Sequence, residues 1–122
     1  MPKQDPYIAY LLELLSPLGT ASARRMFGGW GIYVDGAMVG LVGDEMFYLK
    51  TDEQTRPVFE AAGSAPFVFE SKAKTKTIST SYWSAPEQAM DAPDAMRPWA
   101  QLALDAALRK AAAKPKKRKR VS

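Results

Sequence analysis

The sequence predicts an α+β domain in two layers, an antiparallel five-stranded sheet with the helices on one face. Six of the eight glycines fall between residues 24 and 50, where they separate short runs rich in aromatic and β-branched residues. Two further runs of strand type follow at 66–70 and 76–83. Segments with helical apolar spacing give the order helix, three strands, helix, two strands, helix.

The first three strands are expected to form a meander over residues 24–50. Asp35-Gly36 separates two apolar runs, and a two-residue Asp-Gly loop accepts the positive φ that a tight hairpin needs. A second turn is expected at residues 43–45, before the third strand. All neighbouring strands are therefore expected to pair antiparallel.

The first two helices have recognisable ends. Asp5 has the side chain of a helix cap and precedes a proline, and Ser16-Pro17 ends the apolar pattern that follows. The second helix is expected to begin near Thr55 and to end at Gly63.

The last helix is expected from Pro93 or Asp94 to about residue 113, after a short helical turn at 86–89. Five residues form its expected buried stripe: Met96, Trp99, Ala103, Ala106 and Ala107. A basic, proline-containing segment in which Val121 is the single aliphatic residue begins at residue 114. We therefore expect one domain at 1–113 and a disordered basic tail at 114–122.

The residue types that are missing restrict the chemistry. The 122 residues include neither cysteine nor histidine, which excludes Ser-His and Cys-His catalysis and the common zinc sites. Carboxylate and lysine chemistry stays open in principle, but no arrangement of such residues stands out. We expect no enzyme, with no catalytic, cofactor-binding or metal-binding residues.

The positive charge is concentrated at one end of the chain. Six of the 17 basic residues lie in the tail, which leaves 11 basic against 13 acidic side chains elsewhere. The tail cations are expected to contact nucleic-acid phosphates nonspecifically, and the alternative is a mobile, solubilising end. These cations are Lys114, Lys116, Lys117, Arg118, Lys119 and Arg120.

A series of residues around the first strands carries a resemblance. Its opening comprises Arg24, Arg25, Met26, Phe27, Gly28, Gly29, Gly31 and Tyr33. Asp35-Gly36 and the segment 48–50 follow, and the likeness extends over roughly residues 7 to 110. In this order the residues resemble the signature of the TfoX N-terminal domain family, whose founding members regulate competence for DNA uptake.

The resemblance implies the same element order and a fold similar to the type III secretion chaperones, which are often dimeric. It implies a bacterial, non-enzymatic regulatory or adaptor domain that contacts another protein, for instance a transcription regulator. The founding regulators carry a second helical domain where this sequence has the basic tail. Two alternatives stay open: a nucleic-acid-binding protein that uses its tail, and a chaperone-like dimer that holds a peptide.

No apolar run is long enough to span a bilayer, and the first ten residues lack the layout of a signal peptide. A cytoplasmic location without membrane contact is therefore expected.

The signature also invites two local interpretations. The cluster at residues 28–31 lacks the spacing of a dinucleotide-binding loop and precedes a strand, so a bulge or close backbone packing is favoured. One of the two arginines, Arg24 or Arg25, is expected to pair with a carboxylate such as Asp35 or Glu45 across the sheet, or else to bind a partner.

The aromatic residues form a third candidate site. They are Trp30, Trp83, Trp99, Tyr33, Tyr48 and Tyr82. They offer a base-stacking surface or a core, and the core is favoured because few basic residues lie between them. An exposed subset is suited to a protein interface.

Overall fold

The computed structural model describes residues 5–26, 29–43, 45–70 and 77–113. The helices are α1 (Pro6–Leu15), α2 (Arg56–Ala61) and α3 (Pro93–Ala113), with short 3-10 turns at Ser16–Leu18 and Glu87–Asp91. The strands are β1 (Ala21–Met26), β2 (Gly29–Val34), β3 (Ala37–Gly43), β4 (Met46–Lys50), β5 (Pro66–Glu70) and β6 (Thr77–Ser84).

The six strands form one antiparallel sheet in the order β1-β2-β3-β4-β6-β5. The α+β class and the antiparallel pairing are confirmed, but the expectation of five strands is wrong. The additional strand is β1, of which the predicted meander over residues 24–50 contains only the last three residues. Its sequence, ASARRM, lacks apolar alternation because β1 lies at the edge of the sheet and pairs with β2 alone.

The predicted turns and helix ends agree with the backbone. Asp35 and Gly36 have φ values of 50° and 86°, and Glu45 has 63° in the second turn. The Asp5 carboxylate caps α1 by accepting a hydrogen bond from the Tyr7 amide at 2.8 Å. Beyond the end of α2, Gly63 has φ 87°, a value that glycine accepts without strain.

The core lies where α1 and α3 meet the sheet. Four residues of α1 are buried in it, and β2 and β4 contribute large side chains such as Ile32, Phe47 and Leu49. The four are Ile8, Leu11, Leu14 and Leu15. From α3 the buried residues are Met96, Ala100, Ala103 and Ala106.

The predicted stripe on α3 is therefore partly confirmed: Trp99 and Ala107 are only half-buried, and Ala100 takes a buried position. Small side chains let α3 approach α1, β3 and β4 closely. The arrangement of all helices on one face, in two layers, stays a prediction.

Candidate functional site

The described signature residues lie on the paired strands β1 and β2. Arg24, Arg25 and Met26 end β1, whereas Gly29, Gly31 and Tyr33 belong to β2. The register places Arg24 opposite Gly31 and Met26 opposite Gly29. Phe27 and Gly28 lie outside the described residues.

The glycines of the signature allow close packing. A Cβ atom on Gly31 would lie 2.8 Å from the Met26 sulfur and 3.2 Å from the Tyr33 ring. A Cβ on Gly29 would overlap the carbonyl oxygen of Val42 on the neighbouring strand. Both residues lie within a strand, which supports the interpretation of close backbone packing and not that of a phosphate-binding loop.

Both signature arginines stack on aromatic rings. The Arg24 guanidinium lies 5.3 Å from the centre of the Tyr33 ring, and that of Arg25 lies 5.1 Å from the Trp30 ring. Arg24 reaches Tyr33 because Gly31, directly opposite, has no side chain. Neither arginine has a carboxylate partner within 4.0 Å in the described part of the chain, contrary to the expected ion pair with Asp35 or Glu45.

One set of half-buried apolar side chains on the sheet stands apart from the core that α1 and α3 build. The register places most of them on the side of the strands that faces away from the core. We call this set the aromatic face, and it comprises Met26, Tyr33, Met38, Leu41, Tyr48, Phe67 and Tyr82.

Contacts between strands order the aromatic face. The Tyr48 and Phe67 rings lie 4.9 Å apart at a tilt of 59°. The edge of the Phe67 ring covers Gly43, where an added Cβ would lie 3.0 Å away. Burial raises the pKa of the Tyr82 hydroxyl, and nearby Tyr33 raises it further. The face thus presents neutral, amphipathic side chains that packing holds in place.

The aromatic candidates form two groups: the tryptophans pack in or against the core, and the tyrosines lie outside it. Trp83 is buried in the core, and Trp30 and Trp99 pack against it. Core packing is therefore confirmed for the three tryptophans, whereas the tyrosines line the aromatic face. Because strand alternation decides which side of the sheet receives a residue, the pairing of β2, β4 and β6 with their neighbours places the tyrosines, and no local sequence pattern contains that register.

Lys50 is a site residue that the sequence analysis did not single out. It ends β4, opposite Tyr82, and is only 8% exposed. Its ammonium donates a hydrogen bond to the Ser81 hydroxyl at 2.8 Å and lies 5.0 Å from the centre of the Tyr82 ring. Burial lowers the pKa of Lys50, Lys110 and Arg56 lower it further, and Asp52 opposes the change.

Close to Lys50, the carboxylate of Asp52 connects two elements that are far apart in sequence. Asp52 receives the Arg109 side chain of α3 at 2.7 Å and 3.1 Å, and it also accepts from the backbone amides of Gln54 and Thr55. The hydrogen bond from Arg109 lowers the pKa of Asp52. The pair therefore fixes the end of α3 to the turn before α2.

The described residues contain no group of three or more Asp or Glu side chains arranged to hold a metal ion. Within the same residues, no helix has the length and apolar character needed to cross a bilayer. The six cations predicted to contact nucleic acid, residues 114–120, lie outside the described part of the chain.

Comparison with known protein families identifies a match over most of the chain. A protein-family model described as the TfoX N-terminal domain matches residues 13–107, which include the signature residues and the whole aromatic face. No curated protein matches the sequence significantly.

Proposed function

The chain belongs to the TfoX N-terminal domain family, and from this premise we propose that it is a non-enzymatic regulatory domain that acts by binding another protein. The aromatic face is the proposed binding surface. The domain boundary proposed for this activity is residue 113, with the basic tail as a separate segment.

The observation that carries this proposal is the half-buried set of apolar side chains outside the core. Tyrosine and methionine are enriched at protein interfaces because they offer large contact areas and adapt to a partner. Exposed Met46, at 48%, extends the apolar surface at the start of β4. A contiguous patch of this kind on a small domain is typical of an interaction site.

Charge indicates the chemistry of the partner. Among the described strand residues that share this side of the sheet, Arg24 and Lys50 are cationic and none is acidic. A partner segment with apolar side chains flanked by Asp or Glu would match both properties. Arg24 is exposed and already oriented by Tyr33, so it is suited to meet such a carboxylate.

Site-specific photo-crosslinking in cells tests the proposal. A photoreactive phenylalanine analogue at Leu41, on the aromatic face, should give a discrete protein adduct that mass spectrometry identifies. The same analogue at Val58, 43% exposed on α2, is the matched control and should not give that adduct. Identical adduct patterns at the two positions, or none at either, would contradict the proposed surface.

A second copy of the chain is an alternative occupant of the same surface, in line with a chaperone-like dimer. Sedimentation equilibrium distinguishes it, because Leu41→Lys would then convert a dimer to a monomer. If the wild-type protein is a monomer at high concentration, a second copy of the chain cannot account for the crosslinked adduct.

The uneven charge distribution favours one further candidate function, nucleic-acid binding through the tail. The tail holds six of the 17 basic residues, and phosphate neutralisation by such cations weakens steeply as salt rises. Deletion of residues 114–122 should then abolish binding to duplex DNA at low salt. Unchanged binding by the truncated protein would exclude this role for the tail.

A further inference from the structure

A cleft of about 410 Å³ opens between the end of β4, the turn before α2 and the last turns of α3. Four cationic and two acidic side chains line it. Asp52 and Arg109 neutralise each other through their two hydrogen bonds. The remaining charged side chains are three cations, Lys50, Arg56 and Lys110, against Glu53.

Within the described residues, the innermost of these cations has no carboxylate within 4.0 Å. Lys50 as a residue is only 8% exposed, and the acceptor of its ammonium among the described residues is the neutral Ser81 hydroxyl. An ammonium carries three N–H donors, so one such acceptor leaves donor capacity toward the cleft. Burial of a charge is costly unless an opposite charge compensates it, and a bound anion would provide that compensation.

Two exposed or half-buried cations stand at the mouth of the same cleft. Arg56 is the first residue of α2, and Lys110 lies in the last turn of α3. Both are close enough to Lys50 to lower its pKa. The C-terminal turn of α3 brings partial negative charge from its carbonyl groups, and Lys110 offsets it.

We propose that this cleft binds a doubly charged phosphate group, either as free phosphate or as a monoester. The net charge of two positive units on its lining matches a dianion. An arginine fork at the rim and an ammonium at the base supply the donors that phosphate oxygens accept. Lys50 borders both this cleft and the proposed partner surface, but the two proposals have different tests: crosslinking at Leu41 reports on the partner, and phosphate titration reports on the cleft.

Titration of the full-length protein with inorganic phosphate tests the proposal. Two-dimensional ¹H–¹⁵N NMR spectra are recorded at pH 7.5, with sodium chloride adjusted to hold the ionic strength constant. Saturable shifts are expected for the backbone amides of Thr51, Ser81 and Lys110. Because the tail cations also attract phosphate, shifts confined to residues 114–122 count as evidence against the cleft.

Two variants and a matched control locate the binding. Lys50→Met keeps the aliphatic stem and should weaken phosphate binding at least about tenfold. Lys110→Gln, at an exposed position, should weaken it about threefold and provides a readout even if the buried substitution prevents folding. Arg97→Gln removes an exposed cation from the same helix, away from the cleft lining, and should change the affinity less than twofold.

Acetate under the same conditions tests the charge requirement. Binding at least about tenfold weaker than that of phosphate is expected, because acetate carries a single charge. Three results would each overturn the proposed site. They are equal affinity for acetate and phosphate, equal weakening of phosphate binding by Arg97→Gln and Lys110→Gln, and the absence of saturable shifts from amides in the cleft.

Discussion

Substitution of Phe59 by alanine should be among the most damaging single changes in this domain. Phe59 is the single buried residue of α2, a helix of six residues, and it is fully inaccessible to solvent. Its ring meets Trp99 of α3 edge to face at 5.2 Å. The helix is too short to persist without an anchor, so loss of this side chain removes its main attachment to the core.

The expected loss follows from these contacts. A buried Phe→Ala change costs about 3–5 kcal/mol, and the aromatic pair accounts for about 0.5–1.5 kcal/mol of it. A domain of this size has a total stability of about 5–15 kcal/mol. With an m value of about 2 kcal/mol per molar urea, a loss of 4 kcal/mol lowers the unfolding midpoint by about 2 M.

Equilibrium urea unfolding, followed by tryptophan fluorescence and circular dichroism, measures the loss. Val58→Ala, one position away on the same helix and 43% exposed, should stay within about 0.5 kcal/mol of wild type. A double-mutant cycle with Trp99→Leu should give a coupling of about 0.5–1.5 kcal/mol. A loss below about 1 kcal/mol for Phe59→Ala, with m unchanged, would refute the assignment of Phe59 as the anchor of α2.

Three further predictions concern the central sheet and its charged neighbours. Gly40→Ala should lower the free energy of unfolding by about 1–3 kcal/mol in the same assay, since a Cβ there would meet the Tyr48 carbonyl oxygen; a neutral result would contradict the close packing. Asp52→Asn should be less stable than wild type at pH 7. The difference in the free energy of unfolding should disappear as the pH falls through the pKa of Asp52, which is lowered below its unfolded value of about 3.9. A difference that persists at pH 2 would exclude the ion pair as its source. Because the pKa of Lys50 is lowered, the folded state loses this proton before the unfolded state does. Wild type should therefore gain stability relative to Lys50→Met as the pH rises toward about 10.4, and a flat difference between pH 7 and 11 would contradict the burial of a charged ammonium.

The sequence was sufficient to predict the turns and helix ends, because these features depend on neighbouring residues. The Asp35-Gly36 hairpin follows from the positive φ that these two residues accept, and the start of α1 follows from the carboxylate of Asp5. Gly63 ends α2 for the same backbone reason. Each of these features depends on a few consecutive residues, which is why it can be predicted without knowledge of the fold.

The edge strand and the site depended on contacts that no local pattern contains. β1 is a strand because β2 provides its hydrogen-bond partners, although ASARRM has weak strand character of its own. Lys50 is buried because β6 brings Ser81 and Tyr82 to it from 31 and 32 positions away in the chain.

Composition and local patterns thus determined a histidine- and cysteine-free α+β domain with turns and caps at defined positions. Tertiary structure decided which tyrosines leave the core, and it joined Asp52 to Arg109 across 57 residues of chain. The physical reason is that burial and ion pairing depend on distances through space, and those distances are fixed only when the strands pair in register and α3 packs against them.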